Sequence, residues 1–151
     1  MDIEFLWLAA PLWKLKLLML IIVTQIILTC WLYMKMSKAR VSAAKAGKIK
    51  PEDYSVVSSE PEELAIYTRA LANQFELPVL FYVLILTGIT LGVSSLITVF
   101  LGALFVIIRI IHAREMLGEN RVLKRRKLFI RCMQVFILMI FELVISTFVF
   151  V

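Results

Sequence analysis

The chain has 151 residues, 62% of them hydrophobic and 19% charged, with 17 basic against 11 acidic side chains and a net charge of +6. So apolar a composition excludes a soluble globular domain of this size and indicates a small multi-pass membrane protein in one domain, residues 1–151. Nucleic acid is not the expected partner of the positive charge. Apart from Lys14 and Lys16, the basic residues fall in two clusters, Lys35 to Arg69 and Arg109 to Arg131. With both clusters on the cytoplasmic side, four helices follow and both termini lie on the opposite face.

The expected fold is therefore an all-α membrane protein, a bundle of four transmembrane helices near residues 14–36, 61–88, 93–117 and 121–150. Leu17 to Met34 is apolar and long enough to span, and Trp7, Trp13, Lys14 and Lys16 precede it as interfacial anchors. The acids ahead of this run do not resemble a basic leader region, so no cleaved signal peptide is expected. Gln25, in the middle of the run, is expected to hydrogen-bond to a neighbouring helix. Lys35 to Glu63 reads as a polar loop, with its acids late, punctuated by Pro51 and Pro61. Cys30 and Cys132 lack metal or redox spacing and read as packing residues, so neither a disulfide nor a metal site is expected.

The central stretch carries the chemistry. Leu77 to Ile108 holds no charged residue and is interrupted by Gly88, Gly92, Ser94 and Ser95. As one helix it would measure roughly 48 Å, too long for a hydrocarbon core of about 30 Å. Two spans need roughly eight residues more than the run supplies, and both flanks must contribute them. Asn73 and Glu76 are thereby drawn into the membrane from one side, and Arg109 and His112 from the other. On a continuous helix Arg69, Asn73 and Glu76 would share a face, with Pro78 kinking the helix just beyond. Ionisable groups at such depth face a bundle interior and serve a ligand or proton path.

Gly88 to Ser95 forms the turn, and Ser94, Thr98 and Gly102 give the third helix a strip of small residues for close packing. That helix ends near Leu117 and Gly118. Arg121, Lys124, Arg125, Arg126 and Lys127 lead into the last helix, mostly as a topogenic charge run meeting anionic lipid. Arg121 and Arg125, four apart on one face, are the pair placed to turn inward. Glu142 stands alone deep in the last helix. Its expected role is a hydrogen bond between helices or subunits, with a proton relay as the sharper alternative.

Antiparallel packing brings Arg69, Asn73, Glu76, Arg109, His112, Arg121 and Arg125 to one end of the bundle. Such a pocket suits a small zwitterion with more than one carboxylate. Arginine pairs bidentately with carboxylates, Glu76 can take an ammonium, and Asn73 can bridge a peptide amide. The segments RALANQFE and RIIHAREMLGENRVLKR resemble those of the MAPEG family, membrane-associated proteins of eicosanoid and glutathione metabolism, over roughly Arg40 to Phe129.

The resemblance implies a homotrimer holding glutathione, as co-substrate, between subunits near the cytoplasmic face. It assigns Arg69, Asn73, Glu76, His112, Arg121 and Arg125 to glutathione contact, adds Arg40 from the first helix, and leaves Arg109 as a brace. Arg125 is the catalytic cation expected to lower the thiol pKa. Met116 and Phe129 stand where relatives carry hydroxyl groups. The function expected is a membrane transferase or lipid hydroperoxide reductase acting on lipophilic electrophiles, with membrane lipids as surroundings and a bacterial inner membrane as location. The alternative is a non-enzymatic lipid-binding or scaffold protein. A proton-coupled transporter ranks below both, because the polar groups gather at one end.

Overall fold

The computed structural model describes residues 3–50 and 61–150, with side chains over 12–50 and 61–149. The expectations for Pro51, for the loop acids Glu52, Asp53 and Glu60, and for the Trp7 side chain lie outside the described residues. The elements are α1 (Ile3–Lys45), α2 (Glu62–Ala72), α3 (Leu77–Thr90), α4 (Leu96–Leu117) and α5 (Val122–Phe150). Four stretches are long and apolar enough to cross a membrane: Leu12–Lys45, Glu62–Thr90, Leu96–Leu117 and Val122–Val149. The chain is a four-span helical bundle.

Two segments depart from the sequence expectation. Helix α1 continues to Lys45, through what reads as the start of a loop. The segment MKMSKARVSAAK is rich in strong helix formers and meets no glycine until Gly47, whose φ is +68°. The second departure is at the proposed site. The second span is not one continuous helix: α2 stops at Ala72, residues 73–76 are non-helical, and α3 restarts at Leu77 with proline in its first turn.

Proline explains the interruption. Pro78 has no N–H for the Gln74 carbonyl, and its ring would clash with that carbonyl in a continuous helix. The break also removes the helical face that Arg69, Asn73 and Glu76 were expected to share. Arg69 remains in the last turn of α2, while Asn73 becomes its C-cap and Glu76 the N-cap of α3.

The turn between α3 and α4 needs Gly92, which has φ +71°. Ser95 then starts α4 with a capping box, its hydroxyl accepting from the Ile97 and Thr98 amides while Thr98 Oγ1 accepts from the Ser95 amide. The expected small-residue strip divides in two. Gly102 admits close neighbours, since a Cβ there would lie 3.5 Å from Ile85 and 3.6 Å from Ile21. Thr98 instead serves the cap and a carboxylate on α5.

The main core lies mid-bundle, where Leu18 and Ile22 of α1, Phe81 and Ile85 of α3, Phe105 of α4 and Met139 of α5 are buried together. Phe81 and Phe105 stack at 4.3 Å and 3°, which locks α3 against α4. A smaller cluster of Leu28, Leu32, Ala70, Leu71, Ala113 and Met116 packs α1, α2 and α4 at the basic end. Lipid tails are as apolar as these side chains, so close packing and interhelical hydrogen bonds hold the helices together.

Candidate functional site

The polar groups of the basic end are organised around Arg109. This arginine is only 1% exposed, in an otherwise apolar stretch of α4. Its Nη2 donates to the Asn73 carbonyl at 2.5 Å, at the break between α2 and α3. A carbonyl freed from a helix inside a membrane must find another donor, and Arg109 supplies it. Its bracing role is thus to hold the interruption open.

Asn73 also donates through Nδ2 to Met116 Sδ at 3.5 Å, one helical turn beyond His112 on α4. His112 is buried, lies within electrostatic reach of Arg109 and Arg125, and has the Phe129 ring 6.5 Å from its own. Glu76 is exposed, makes no side-chain cap bond, and lies within reach of the Arg109 charge. The fold therefore leaves the Glu76 carboxylate open to a ligand.

The remaining cations are distributed differently. Arg125 is half-buried and donates through Nη1 to Asn120 Oδ1. Asn120 has φ +53°, the left-handed region that asparagine tolerates, and its amide donates to the Glu115 carbonyl at 2.8 Å. The α4–α5 turn thereby aims Arg125. Arg40 reaches across from α1 and donates to Thr68 Oγ1 at 3.2 Å, beside Arg69, which is exposed. Arg121 is committed within the chain: its Nε lies 2.9 Å from Glu115 Oε1 and 2.8 Å from Glu119 Oε2, and its Nη2 lies 3.3 Å from Glu115 Oε2. That pairing, chiefly the hydrogen bond to Glu115, raises the Arg121 pKa.

Asn73, Glu76, Arg109, His112 and Arg125 thus form one group, Arg40 and Arg69 a second where α1 meets α2 at Thr68, and Arg121 joins an ion cluster with Glu115, Glu119 and Lys124. Chemically, the first group offers an open carboxylate, an amide and a directed guanidinium. The second group offers two further cations for a carboxylate-bearing ligand. Among the described residues no group of His, Cys, Asp and Glu could hold a metal ion.

Several working residues escape sequence reasoning. Glu115 is buried, and its carboxylate takes both Arg121 and Lys124. The available signal was its position three residues after His112 and six before Arg121. Gln74 is 3% exposed and accepts from Gln25 Nε2 at 2.9 Å. This pair supplies the interhelical bond expected of Gln25 and ties α1 to the helix break. Glu142 has partners on α4, accepting from Ser95 Oγ at 2.6 Å and Thr98 Oγ1 at 3.0 Å. No pattern in α5 alone could reveal them.

No curated protein and no solved structure gives a significant match to this chain. The family model described as MAPEG family matches residues 17–145, which contain every helix-borne group described above. The chain therefore belongs to the MAPEG family.

Proposed function

We propose that the protein binds glutathione at the basic end of the bundle and uses its thiolate against a lipophilic electrophile or a lipid hydroperoxide. The observation that carries this reading is the interrupted second span. Arg109 holds open a break that leaves Asn73 partly accessible and Glu76 exposed, at the end of the bundle where the α4–α5 turn directs the Arg125 guanidinium. Family membership supports the same reading.

Glu76 takes the ligand's ammonium, Asn73 a peptide amide, and Arg40 and Arg69 its carboxylates. Arg125 stands next to the sulfur and favours the thiolate. In transfer, the sulfur lone pair forms a carbon–sulfur bond as the leaving group departs with its electron pair, or as the electrons of an activated double bond move onto the acceptor and are protonated. In hydroperoxide reduction, two glutathione molecules are oxidised to the disulfide, and the peroxide is reduced to an alcohol and water. Arg69 and Glu76 are exposed on the single chain, which favours a homotrimer whose subunits share the ligand. The excess of cations at this end favours a cytoplasmic orientation, here in a bacterial inner membrane.

Equilibrium binding of glutathione to the purified protein, read with thiolate absorbance near neutral pH, tests the proposal. Saturable binding with a lowered thiol pKa is expected. Loss of neither binding nor thiolate signal in Glu76→Ala and Arg125→Ala would refute the assignment of these residues.

A second reading has a specific observation behind it. Met116, which accepts from Asn73 Nδ2, and Phe129, whose ring lies 6.5 Å from that of His112, carry no hydroxyl to assist the sulfur. A folded protein that copurifies with lipid and binds no glutathione would make it a lipid-binding member of the fold.

A further inference from the structure

At the opposite end of the bundle from the arginines, α4 and α5 enclose an open groove of about 690 Å³. Its walls are apolar, including Leu101, Leu138, Phe141 and Ile145, and its polar lining comes from Ser95, Glu142 and Ser146. The volume falls in the range of small-molecule sites, about 300–1,000 Å³. A carboxylate opening on such a groove is unusual, because ionisable side chains inside a membrane pair with one another or face the bundle interior.

The hydrogen bonds around Glu142 show what is left over. Oε1 accepts from Ser95 Oγ at 2.6 Å and from Ser146 Oγ at 3.2 Å. Thr98 Oγ1 lies 3.0 Å from both oxygens but has one hydrogen to give. Three hydroxyl hydrogens therefore serve a group with about four lone-pair sites, and none of them brings a positive charge. Among the described residues Glu142 has no ion-pair partner.

We propose that this groove is a second binding site, anchored by Glu142, for a lipophilic ammonium: one cationic head on an apolar body. Charge complementarity selects the head, and the apolar walls select the body. A zwitterionic phospholipid fits less well, because no Lys or Arg lines the groove and its phosphate would remain unpaired in a low-dielectric setting. The capping box of α4 presets the anchor, since the Ser95 and Thr98 hydroxyls are oriented by backbone bonds before any ligand arrives. The site is separate from the proposed glutathione end and does not depend on it.

The test is equilibrium binding of decylammonium to the full chain in nanodiscs of phosphatidylcholine, with decanol as the uncharged probe of equal length. Saturable binding of decylammonium at one site per chain, at least ten-fold tighter than decanol, is expected. Glu142→Gln should weaken it at least ten-fold while keeping much of the hydroxyl network. Leu138→Trp should block it with the carboxylate intact, and circular dichroism and elution position verify that both variants are folded. Equal binding to Glu142→Gln, or decanol binding as tightly as decylammonium, would overturn the proposal. So would displacement of decylammonium by phosphatidylethanolamine in the disc, which would identify the occupant as a phospholipid.

Discussion

The amide pair Gln25–Gln74 offers the sharpest test of how the site is held. Gln25 is fully buried, Gln74 is 3% exposed, and Gln25 Nε2 donates to Gln74 Oε1 at 2.9 Å. Gln74 Nε2 in turn donates to the Ala70 carbonyl at 3.2 Å, while Gln25 Oε1 has no partner. Gln74→Met therefore strands Gln25 Nε2 and takes a donor from the Ala70 carbonyl, whereas Gln25→Met strands only the Gln74 carbonyl oxygen. Interhelical hydrogen bonds in membranes average about 0.6 kcal/mol and reach about 1.7. A buried group left unpaired costs about 1–3 kcal/mol. This bond is direct and screened from water, so we expect losses of about 2 kcal/mol for Gln74→Met and about 1.5 kcal/mol for Gln25→Met. The double variant should lose about 1 kcal/mol, below either single variant and well below the additive value of about 3.5, because it strands no polar atom of either side chain. Reversible unfolding in mixed dodecyl sulfate and maltoside micelles, followed by circular dichroism, measures all three. Strict additivity would refute the view that this pair couples α1 to the helix break.

Three further outcomes follow from the site geometry. Glu76→Gln should weaken glutathione binding roughly 10- to 100-fold, the equivalent of one charge-assisted hydrogen bond, with unchanged unfolding, because the side chain makes no cap bond; titration of the folded variant checks it. Asn120→Ala places a Cβ residue other than asparagine at φ +53° and should cost about 1 kcal/mol, whereas Asn120→Gly should be near neutral in stability. Both release Arg125, so both should raise the pKa of bound glutathione in a spectrophotometric titration. Gly92→Ala, at φ +71° with open space around it, should cost about 1 kcal/mol through backbone strain alone and leave glutathione affinity unchanged; calorimetry and ligand titration measure the two effects.

The sequence exposes those parts of the protein that repeat along a helix or obey a length limit. Four spans follow from apolar run lengths and the two basic clusters, and the shortage of residues between Leu77 and Ile108 draws its polar flanks into the spans Glu62–Thr90 and Leu96–Leu117. Local chemistry that depends on a distant partner is less legible. Pro78 announced a kink, but a kink and a complete interruption look alike in sequence. What separates them is a donor for the carbonyls that a full break frees beyond that of Gln74, and Arg109, which serves the Asn73 carbonyl, lies 36 residues from it. Glu142 reads as isolated for the same reason, since its hydroxyl partners Ser95 and Thr98 belong to the start of α4. Arg121 reads as a free cation until Glu115, on the preceding helix, occupies it.

The pairing of Pro78 with Arg109 links fold to function. Proline removes a backbone donor, and the interruption leaves the Asn73 carbonyl facing a buried guanidinium rather than an amide four residues on. A buried cation is costly, so Arg109 contributes little net stability for its size, and its Nε has no hydrogen-bond partner. Its contribution is to the geometry of the break, which releases Glu76 from the helix. Arg109→Met, of similar reach and no charge, relieves the cost of a buried cation but strands the Asn73 carbonyl, so the unfolding free energy should fall by no more than about 1–3 kcal/mol. Glutathione affinity should nevertheless fall at least ten-fold. Pro78→Ala makes the converse change: the second span can close into a continuous helix, the Asn73 carbonyl returns to the backbone ladder, and affinity should fall while helical content rises. If Arg109→Met unfolds the bundle in proportion to its loss of binding, the arginine is a stability element and does not position the site. If Pro78→Ala gains helix and keeps full affinity, the interruption is not what presents Glu76.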